Sequence, residues 1–251
     1  MRNLKLTIEY DGTNYCGWQR QNSPRSTVHS PRLKTIQGAI EKTLQRIFKE
    51  KVKLIGAGRT DSGVHALGQA ANFKTDSKIP LKNLQKALNS LLPRDIAIKR
   101  IDEASLDFHS QYSVKSKLYC YAILNRPYHS ALQRNQVYFI PRPLDIKSMQ
   151  RQARFLKGRH DFKSFQAADK KERSSLRTIK DIRISRHGGY IYIAIEADGF
   201  LYNMARNIAG TLIQIGLGKP FNIKEILKAR DRRLAGPTAP ARGLCLVKVK
   251  Y

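Results

Sequence analysis

Asp61 is the residue of this chain best suited to covalent chemistry. It lies within residues 56–63, whose sequence GAGRTDSG holds three glycines and a single carboxylate. Arg59, two residues earlier, favours the ionised form of that carboxylate, and an accessible anionic aspartate can act as a nucleophile. Glycine has no Cβ, so a large planar substrate could approach this backbone closely. A glycine-rich turn without a catalytic role is an equally good interpretation of the segment taken alone.

Two common phosphate-binding motifs do not fit the spacing of this loop. A P-loop ends in lysine followed by serine or threonine, whereas Gly63 is followed by Val64 and His65. A dinucleotide-binding fingerprint that starts at Gly56 would need its third glycine where Asp61 stands. Both nucleotide-binding interpretations are therefore excluded for this segment.

Two side chains elsewhere are candidates for contact with a substrate. Tyr119 shares one face of a predicted strand with Tyr121, where its ring either stacks on an unpaired base or packs in the core. Arg206 interrupts an apolar helical segment, so its partner is a carboxylate or a phosphate, or it is a structural or solvent-reaching side chain. The six histidines show no metal-ligand spacing. A base-and-acid pair at His160 and Asp161 is disfavoured because adjacent side chains point apart.

The charge balance indicates a polyanionic partner. The chain has 47 lysine and arginine residues against 19 aspartate and glutamate residues, a net charge of +28, which favours RNA or DNA binding. A basic structural protein of the ribosomal type is the alternative. Cys16, Cys120 and Cys245 are far apart and odd in number, which argues against a zinc ribbon or a secreted disulfide framework. No signal core or membrane-length apolar run is present, so we predict a soluble, cytoplasmic protein with no membrane association.

Hydrophobic periodicity predicts the elements of the first half of the chain. A polar segment at residues 20–34, containing two prolines, is predicted to be a loop. Thr35 is the predicted N-cap of the helix that follows it. Strands are predicted at 4–10, 52–55, 69–73 and 96–101, and helices at 36–48 and 81–92. The order β-α-β-β-α-β is that of a ferredoxin-like unit.

The second half follows a similar but less regular pattern. Strands are predicted at 117–125, 136–140, 179–184, 190–197 and 244–251, and helices at 146–156, 200–217 and 223–229. The predicted class is α+β, with two ferredoxin-like α/β halves joined through a mixed, mostly antiparallel sheet. The N-terminal half, residues 1–107, carries the Asp61 loop, and the C-terminal half, residues 108–251, completes the active-site cleft.

Taken in order, the sequence blocks of this chain resemble the TruA family of tRNA pseudouridine synthases over essentially its whole length. The most specific block is GRTDSGVHA at residues 58–66. It is accompanied by EYDGT at 9–13, GWQRQ at 17–21, YCY at 119–121, GFLYNMARNIAG at 199–210, AP at 239–240 and GLCL at 243–246.

This resemblance implies the pseudouridine synthase fold and a role for each candidate residue. Asp61 is expected to be the nucleophile, Tyr119 to pack on the target uracil and Arg206 to pair with Asp61. Arg59 is expected to enter the space left when the uridine flips out of its stem. The expected substrates are uridines at positions 38 to 40 of the tRNA anticodon stem-loop. The expected enzyme is a homodimer whose tRNA crosses both subunits, with no cofactor and no metal.

The chemistry of this reaction agrees with the motifs that the chain lacks. Conversion of uridine to pseudouridine is a redox-neutral isomerisation that needs neither ATP nor metal. Attack by the carboxylate at C6 or at C1′ remains open, as does the identity of the base that removes the C5 proton, for which Tyr119 is a candidate. A non-catalytic RNA-binding protein is the alternative from another class, and a metal-dependent nuclease would require clustered carboxylates that the loop lacks.

Three departures from the family pattern concern substrate contacts. The loop at residues 20–37 is longer than in typical members and adds Arg25, Arg32 and Lys34, which are candidates to grip tRNA arms. Gln111 stands where many members carry an arginine, so one phosphate contact is expected to be lost. Cys120 replaces a usual basic residue between the two tyrosines.

Overall fold

The chain folds into two compact units. The computed structural model describes residues 1–19, 34–168 and 174–251. One unit comprises Met1–Lys115 with Leu246–Tyr251, and the other comprises Ser116–Cys245. The boundary predicted from the sequence was near residue 107. Of the three basic residues predicted to grip tRNA, Arg25 and Arg32 lie outside the described residues, and Lys34 is exposed.

The first unit has the predicted element order. Its elements are β1 (Arg2–Tyr10), α1 (Ile36–Phe48), β2 (Ile55–Gly56), β3 (His65–Thr75), α2 (Leu81–Leu91) and β4 (Ile96–Ala104). The strands lie in the order β4-β1-β3-β2, and each neighbouring pair is antiparallel. This is the arrangement of a ferredoxin-like unit, so the prediction for this part of the chain is confirmed.

The alternation of β1 and the spacing of α1 explain the core of the first unit. Leu4, Leu6 and Ile8 are at most 1% exposed, because every second residue of β1 faces the same way. Helix α1 begins as predicted, since the Thr35 hydroxyl accepts a hydrogen bond of 3.2 Å from the Gly38 amide. Helix α2 ends before Pro93, which disfavours helical geometry in the residue before it.

The second unit also combines an antiparallel sheet with helices. Its elements are β5 (Ser116–Leu124), β6 (Tyr138–Phe139), α3 (Ile146–Ala153), β7 (Gly158–Asp161), β8 (Leu176–His187), β9 (Tyr190–Ala197), α4 (Met204–Gly216), α5 (Ile223–Ala229) and the start of β10 (Leu244–Lys250). The order β5-β9-β8-β7 is antiparallel throughout, and β6 pairs in parallel with β5. The residues of β10 from Leu246 onward belong to the first unit, where they pair with β3. The α+β class is therefore confirmed.

Among the differences from the sequence prediction in the second unit are an additional strand and a later start of α4. Strand β7 was not predicted, because four residues are too few to show a hydrophobic period. Helix α4 begins at Met204 rather than at residue 200, because Asn203 adopts the left-handed conformation with φ 59° and ends the preceding loop. No described helix has both the length and the apolar composition that a membrane span needs.

Candidate active site

The Asp61 loop connects β2 to β3 in the first unit and is fixed by hydrogen bonds along its length. The Ala57 amide donates to the Ala70 carbonyl at 2.8 Å, and the Gln69 side-chain amide donates to the Gly58 carbonyl at 3.0 Å. These bonds attach the start of the loop to β3. A loop whose backbone groups are satisfied in this way holds one conformation.

Both neighbours of Asp61 are bound to the N-terminal part of the chain. The hydroxyls of Tyr10 and Thr60 share a hydrogen bond of 2.8 Å, and the Thr60 carbonyl accepts from the Trp18 amide at 3.1 Å. On the other side, the Ser62 hydroxyl donates to the Tyr15 carbonyl at 3.0 Å. The position of the Asp61 backbone is therefore set by β1 and the segment that follows it.

Glycines allow residues 10–18, hereafter the N-terminal segment, and the Asp61 loop to approach closely. A Cβ on Gly56 would lie 2.4 Å from the indole nitrogen of Trp18, and a Cβ on Gly17 would lie 2.4 Å from the Thr60 carbonyl oxygen. Trp18 is only 2% exposed. The planar group that Gly56 admits is thus a side chain of the protein.

The two charged residues of the loop differ in exposure. Asp61 is partly buried, whereas Arg59 is exposed. The turn between Asp61 and β3 is closed by a hydrogen bond of 3.2 Å from the Val64 amide to the Asp61 carbonyl, with Gly63 at φ 77°. The loop therefore contains a turn that requires glycine at position 63, and its hydrogen bonds also fix the backbone position of Asp61.

A second layer of side chains supports the N-terminal segment. The Gly12 amide donates to Nδ1 of the buried His65 at 3.1 Å. The Tyr15 hydroxyl donates to Asp95 at 2.6 Å, and burial together with this carboxylate raises the pKa of Tyr15. These positioning roles were not predicted from the sequence. Part of the signal was present, because Gly12 lies in the block EYDGT and His65 in the block GRTDSGVHA, whereas Tyr15 and Asp95 lie in none of the blocks.

In the second unit, the two tyrosines of β5 have different surroundings. Tyr121 is fully buried, its hydroxyl donates to the Pro240 carbonyl at 2.8 Å, and burial raises its pKa. Tyr119 is 7% exposed and its ring meets Phe200 edge to face, with centroids 4.9 Å apart. Both tyrosines are therefore buried, Tyr121 completely and Tyr119 against the loop that leads into α4.

Arg206 lies in the first turn of α4 and is partly buried. Its Nε donates to the Ala239 carbonyl at 2.8 Å, and its Nη1 donates to the Asn203 side-chain oxygen at 3.1 Å. The Ala239 amide in turn donates to the Arg206 carbonyl at 3.2 Å. The guanidinium is thus held in a fixed orientation, which differs from the solvent-reaching side chain considered from the sequence.

Gln111 and Cys120, at which departures from the family pattern are expected, both lie among the described residues. Gln111 is exposed, and its backbone amide donates to Nδ1 of His109 at 3.2 Å. Cys120 faces the side of β5 opposite to Tyr119, and burial raises the pKa of its thiol to about 11. Cys120 is therefore a neutral side chain at ordinary pH.

Comparison with known proteins assigns the chain to a family. Residues 6–113 and 153–251 match the family model described as tRNA pseudouridine synthase. The chain is 49% identical over 253 residues to tRNA pseudouridine synthase A 2 of Clostridium perfringens, with all of both chains covered. It is 49% identical to tRNA pseudouridine synthase A of Caldicellulosiruptor saccharolyticus and 48% identical to that of Acetivibrio thermocellus, again with complete coverage of both chains. The chain therefore belongs to the tRNA pseudouridine synthases, a family of isomerases.

Proposed function

We propose that this enzyme converts uridines at positions 38 to 40 of the tRNA anticodon stem-loop to pseudouridine, with Asp61 as the nucleophile. The observation that carries the proposal is the anchoring of the Asp61 loop. Thr60 and Ser62 are both tied to the N-terminal segment, while Asp61 between them is partly accessible. Such preorganisation is what a covalent step requires, because a nucleophile must hold its position relative to the reacting atom.

The reaction moves one bond and leaves the composition of the base unchanged. The C1′–N1 bond breaks, the base turns and a C1′–C5 bond forms, so that C5 loses its proton and N1 gains one. The Asp61 carboxylate adds to C6 or to C1′ at the start and leaves at the end. Electrons and atoms therefore balance without an oxidant, a reductant or ATP.

The remaining site residues have roles in holding the flipped nucleotide. A uridine in a stem must leave the base stack before it can react, which costs a few kcal/mol. We assign Tyr119 to the uracil ring, because a ring fixed by Phe200 provides a rigid stacking surface. The exposed Arg59 fills the vacated space in the stem, and Arg206 pairs with Asp61.

The same proposal extends to the assembly and the compartment of the enzyme. The resemblance supports a homodimer whose tRNA contacts both subunits, and a cytoplasmic location where tRNA is modified. Sedimentation equilibrium of the purified protein with and without tRNA tests the dimer. A mass corresponding to one chain at micromolar concentration would contradict it.

The decisive test is the Asp61→Asn variant with tRNA transcripts labelled with tritium at C5 of uridine. We expect tritium release to fall by about a thousandfold or more, because the nucleophile is lost. Affinity for tRNA should be unchanged or slightly tighter, since removing a carboxylate reduces repulsion of phosphates. Transcripts in which uridine 38, 39 or 40 is replaced singly by cytidine identify the positions modified.

Asp76→Asn is the matched control for that experiment. Asp76 belongs to the same unit, and its side chain is 85% exposed beside the amino group of Met1. This variant should release tritium at the wild-type rate. Substantial tritium release by Asp61→Asn would refute the nucleophile. Wild-type protein that binds tRNA without releasing tritium would point instead to a non-catalytic RNA-binding protein.

A further inference from the structure

Lys117 is a partly buried cation on the same face of β5 as Tyr119. Residues 117, 119 and 121 alternate with residues of the opposite face, so Lys117 lies roughly 7 Å along the strand from Tyr119. Lys117 makes no hydrogen bond or ion pair within the described ranges of the chain. A lysine in such a position normally has a carboxylate or a phosphate as its partner.

Sheet register places a second cation on the same face. Lys117 pairs with Ala197 of β9, and Ala197 pairs with Ile179 of β8. Arg177 precedes Ile179 by two residues and so shares its face. Two strand spacings and two residues along β8 separate the backbones of Lys117 and Arg177, a distance of roughly 12 Å that two long side chains can bridge.

Arg177 is anchored beside Gly199, which directly precedes Phe200, the residue whose ring contacts Tyr119. Its Nη1 donates to the Ser174 and Leu176 carbonyls at 2.8 and 2.6 Å. A Cβ on Gly199 would lie 3.2 Å from its Nε, and Phe200, whose ring meets Tyr119, follows directly in the chain. Arg177 and Tyr119 therefore both lie against the loop that follows Ala197, the residue paired with Lys117.

The two cations oppose each other in the unliganded protein. Burial and then the charge of Arg177 lower the pKa of Lys117 to about 8. Below that pH the protonated amine lacks full hydration and faces a like charge. An anion that enters between the two side chains relieves both effects.

We propose that Lys117 and Arg177 form a binding site for a phosphodiester group of the RNA, next to the nucleotide whose base packs on Tyr119. This inference rests on the proposed function, because that function places the flipped base at Tyr119. An RNA backbone supplies a phosphate on each side of any flipped nucleotide. Arg177 provides fixed donors and Lys117 a point charge, a pairing that suits a phosphate group.

The test compares the salt dependence of RNA binding for four variants. An anticodon stem-loop RNA is titrated with wild-type protein, Lys117→Met, Lys117→Arg, Arg177→Met and Lys147→Met at about 50 to 200 mM KCl. The binding constant K falls as salt rises, and each lost phosphate contact reduces the steepness of log K against log salt by about one. We expect this decrease, with roughly tenfold weaker binding at low salt, for Lys117→Met and Arg177→Met. Lys117→Arg should keep the wild-type slope because the charge remains.

Lys147→Met controls for the general loss of one charge. Lys147 is exposed on α3 in the same unit, and its variant should keep the wild-type slope. Unchanged slopes for both Lys117→Met and Arg177→Met would overturn the proposal. So would a loss of slope in Lys147→Met equal to theirs, since the effect would then be one of net charge.

Tritium release measured on the same RNA separates this inference from the proposed function. If wild-type protein releases tritium but the slopes do not change, the phosphate site is wrong and the proposed reaction stands. If the slopes change as expected but wild-type protein releases no tritium, the anion site stands and the proposed reaction is wrong. Thermal melting of every variant confirms folding, and Arg177→Met carries the test in the case in which Lys117→Met does not fold.

Discussion

The side chains proposed to act on the substrate are held by ordinary hydrogen bonds and ring contacts within their own unit. Arg206 donates to Asn203 and to the Ala239 carbonyl, and Tyr119 packs against Phe200. Asn203 has two functions, because its left-handed backbone starts α4 and its side chain orients the guanidinium. These two functions can be separated by substitution.

Asn203→Gly should impair catalysis without impairing stability. Glycine adopts positive φ at least as readily as asparagine, so α4 can still begin at Met204. The variant removes the acceptor of Arg206 Nη1, and we expect the single-turnover rate to fall by about tenfold. Rate and urea unfolding are measured on the same preparation. A wild-type rate would show that the Asn203 side chain does not position Arg206.

Lys117→Met should raise the stability of the free protein at neutral pH. The folded-state pKa of about 8 lies below the ordinary 10.5, so the penalty for burying the charged amine is fully present below pH 8. As pH rises from 8 to 10.5, the folded lysine loses its proton before the unfolded one, and the penalty disappears. Removing the lysine should therefore add about 1 to 3 kcal/mol to the free energy of unfolding at about pH 7 and little near pH 10.5.

Urea unfolding of wild type and Lys117→Met at both pH values measures that difference. Subtracting the free energy of unfolding of wild type from that of Lys117→Met at each pH cancels the contributions of the other titrating groups. A site that gains RNA affinity at the expense of stability is typical of functional positions. Lys117→Met less stable than wild type at neutral pH would instead assign the side chain a packing role.

At the scale of elements, the approach of the N-terminal segment to the Asp61 loop depends on Gly17. Its φ is 84°, and a Cβ would lie 2.4 Å from the Thr60 carbonyl oxygen. Gly218, after α4, has φ 82° but no atom within 4 Å of an added Cβ. The two glycines thus share a positive φ that alanine disfavours, and they differ in whether an added Cβ would meet another atom.

Gly17→Ala should therefore lose activity that Gly218→Ala retains. Both substitutions cost about 1 to 2 kcal/mol because alanine disfavours positive φ. Only Gly17→Ala also displaces Thr60 and with it the backbone of Asp61, so we expect tritium release to fall by at least about tenfold. Equal rates for the two variants would show that the position of the loop does not depend on this contact.

At the scale of the whole molecule, the charge of +28 affects stability and binding in opposite directions. Like charges within a compact chain repel each other, and added salt screens them. The Tm should therefore rise between about 20 and 200 mM KCl. Affinity for tRNA should fall steeply between about 50 and 200 mM KCl, on the order of a thousandfold.

Thermal melts and binding titrations over the same KCl series measure both responses. Repeating the melts with NaCl controls for effects of the cation. A Tm that falls with salt would show that ion pairs such as Arg2–Glu103 outweigh the net repulsion. Binding insensitive to salt would contradict a phosphate-dominated interface.

Local patterns in the sequence determined much of the fold and the identity of the candidate site. The N-cap at Thr35, the helix at 223–229 and the order of elements in the first unit depend on neighbouring residues and short periods, which the sequence contains directly. The blocks around Asp61, Tyr119 and Arg206 indicated the family. The net charge indicated a polyanionic partner, because charge is a sum over residues and does not depend on how they are arranged.

The tertiary structure decided where some elements begin and which distant residues contact each other. Strand β2 begins at Ile55 instead of residue 52, because the Leu54 amide bonds to the Glu41 carboxylate and its carbonyl to the Gln37 side chain. Gly56 accommodates Trp18, which lies distant in sequence. The Lys117 and Arg177 pair exists only through strand register. Such contacts join residues far apart along the chain, so no local pattern specifies them.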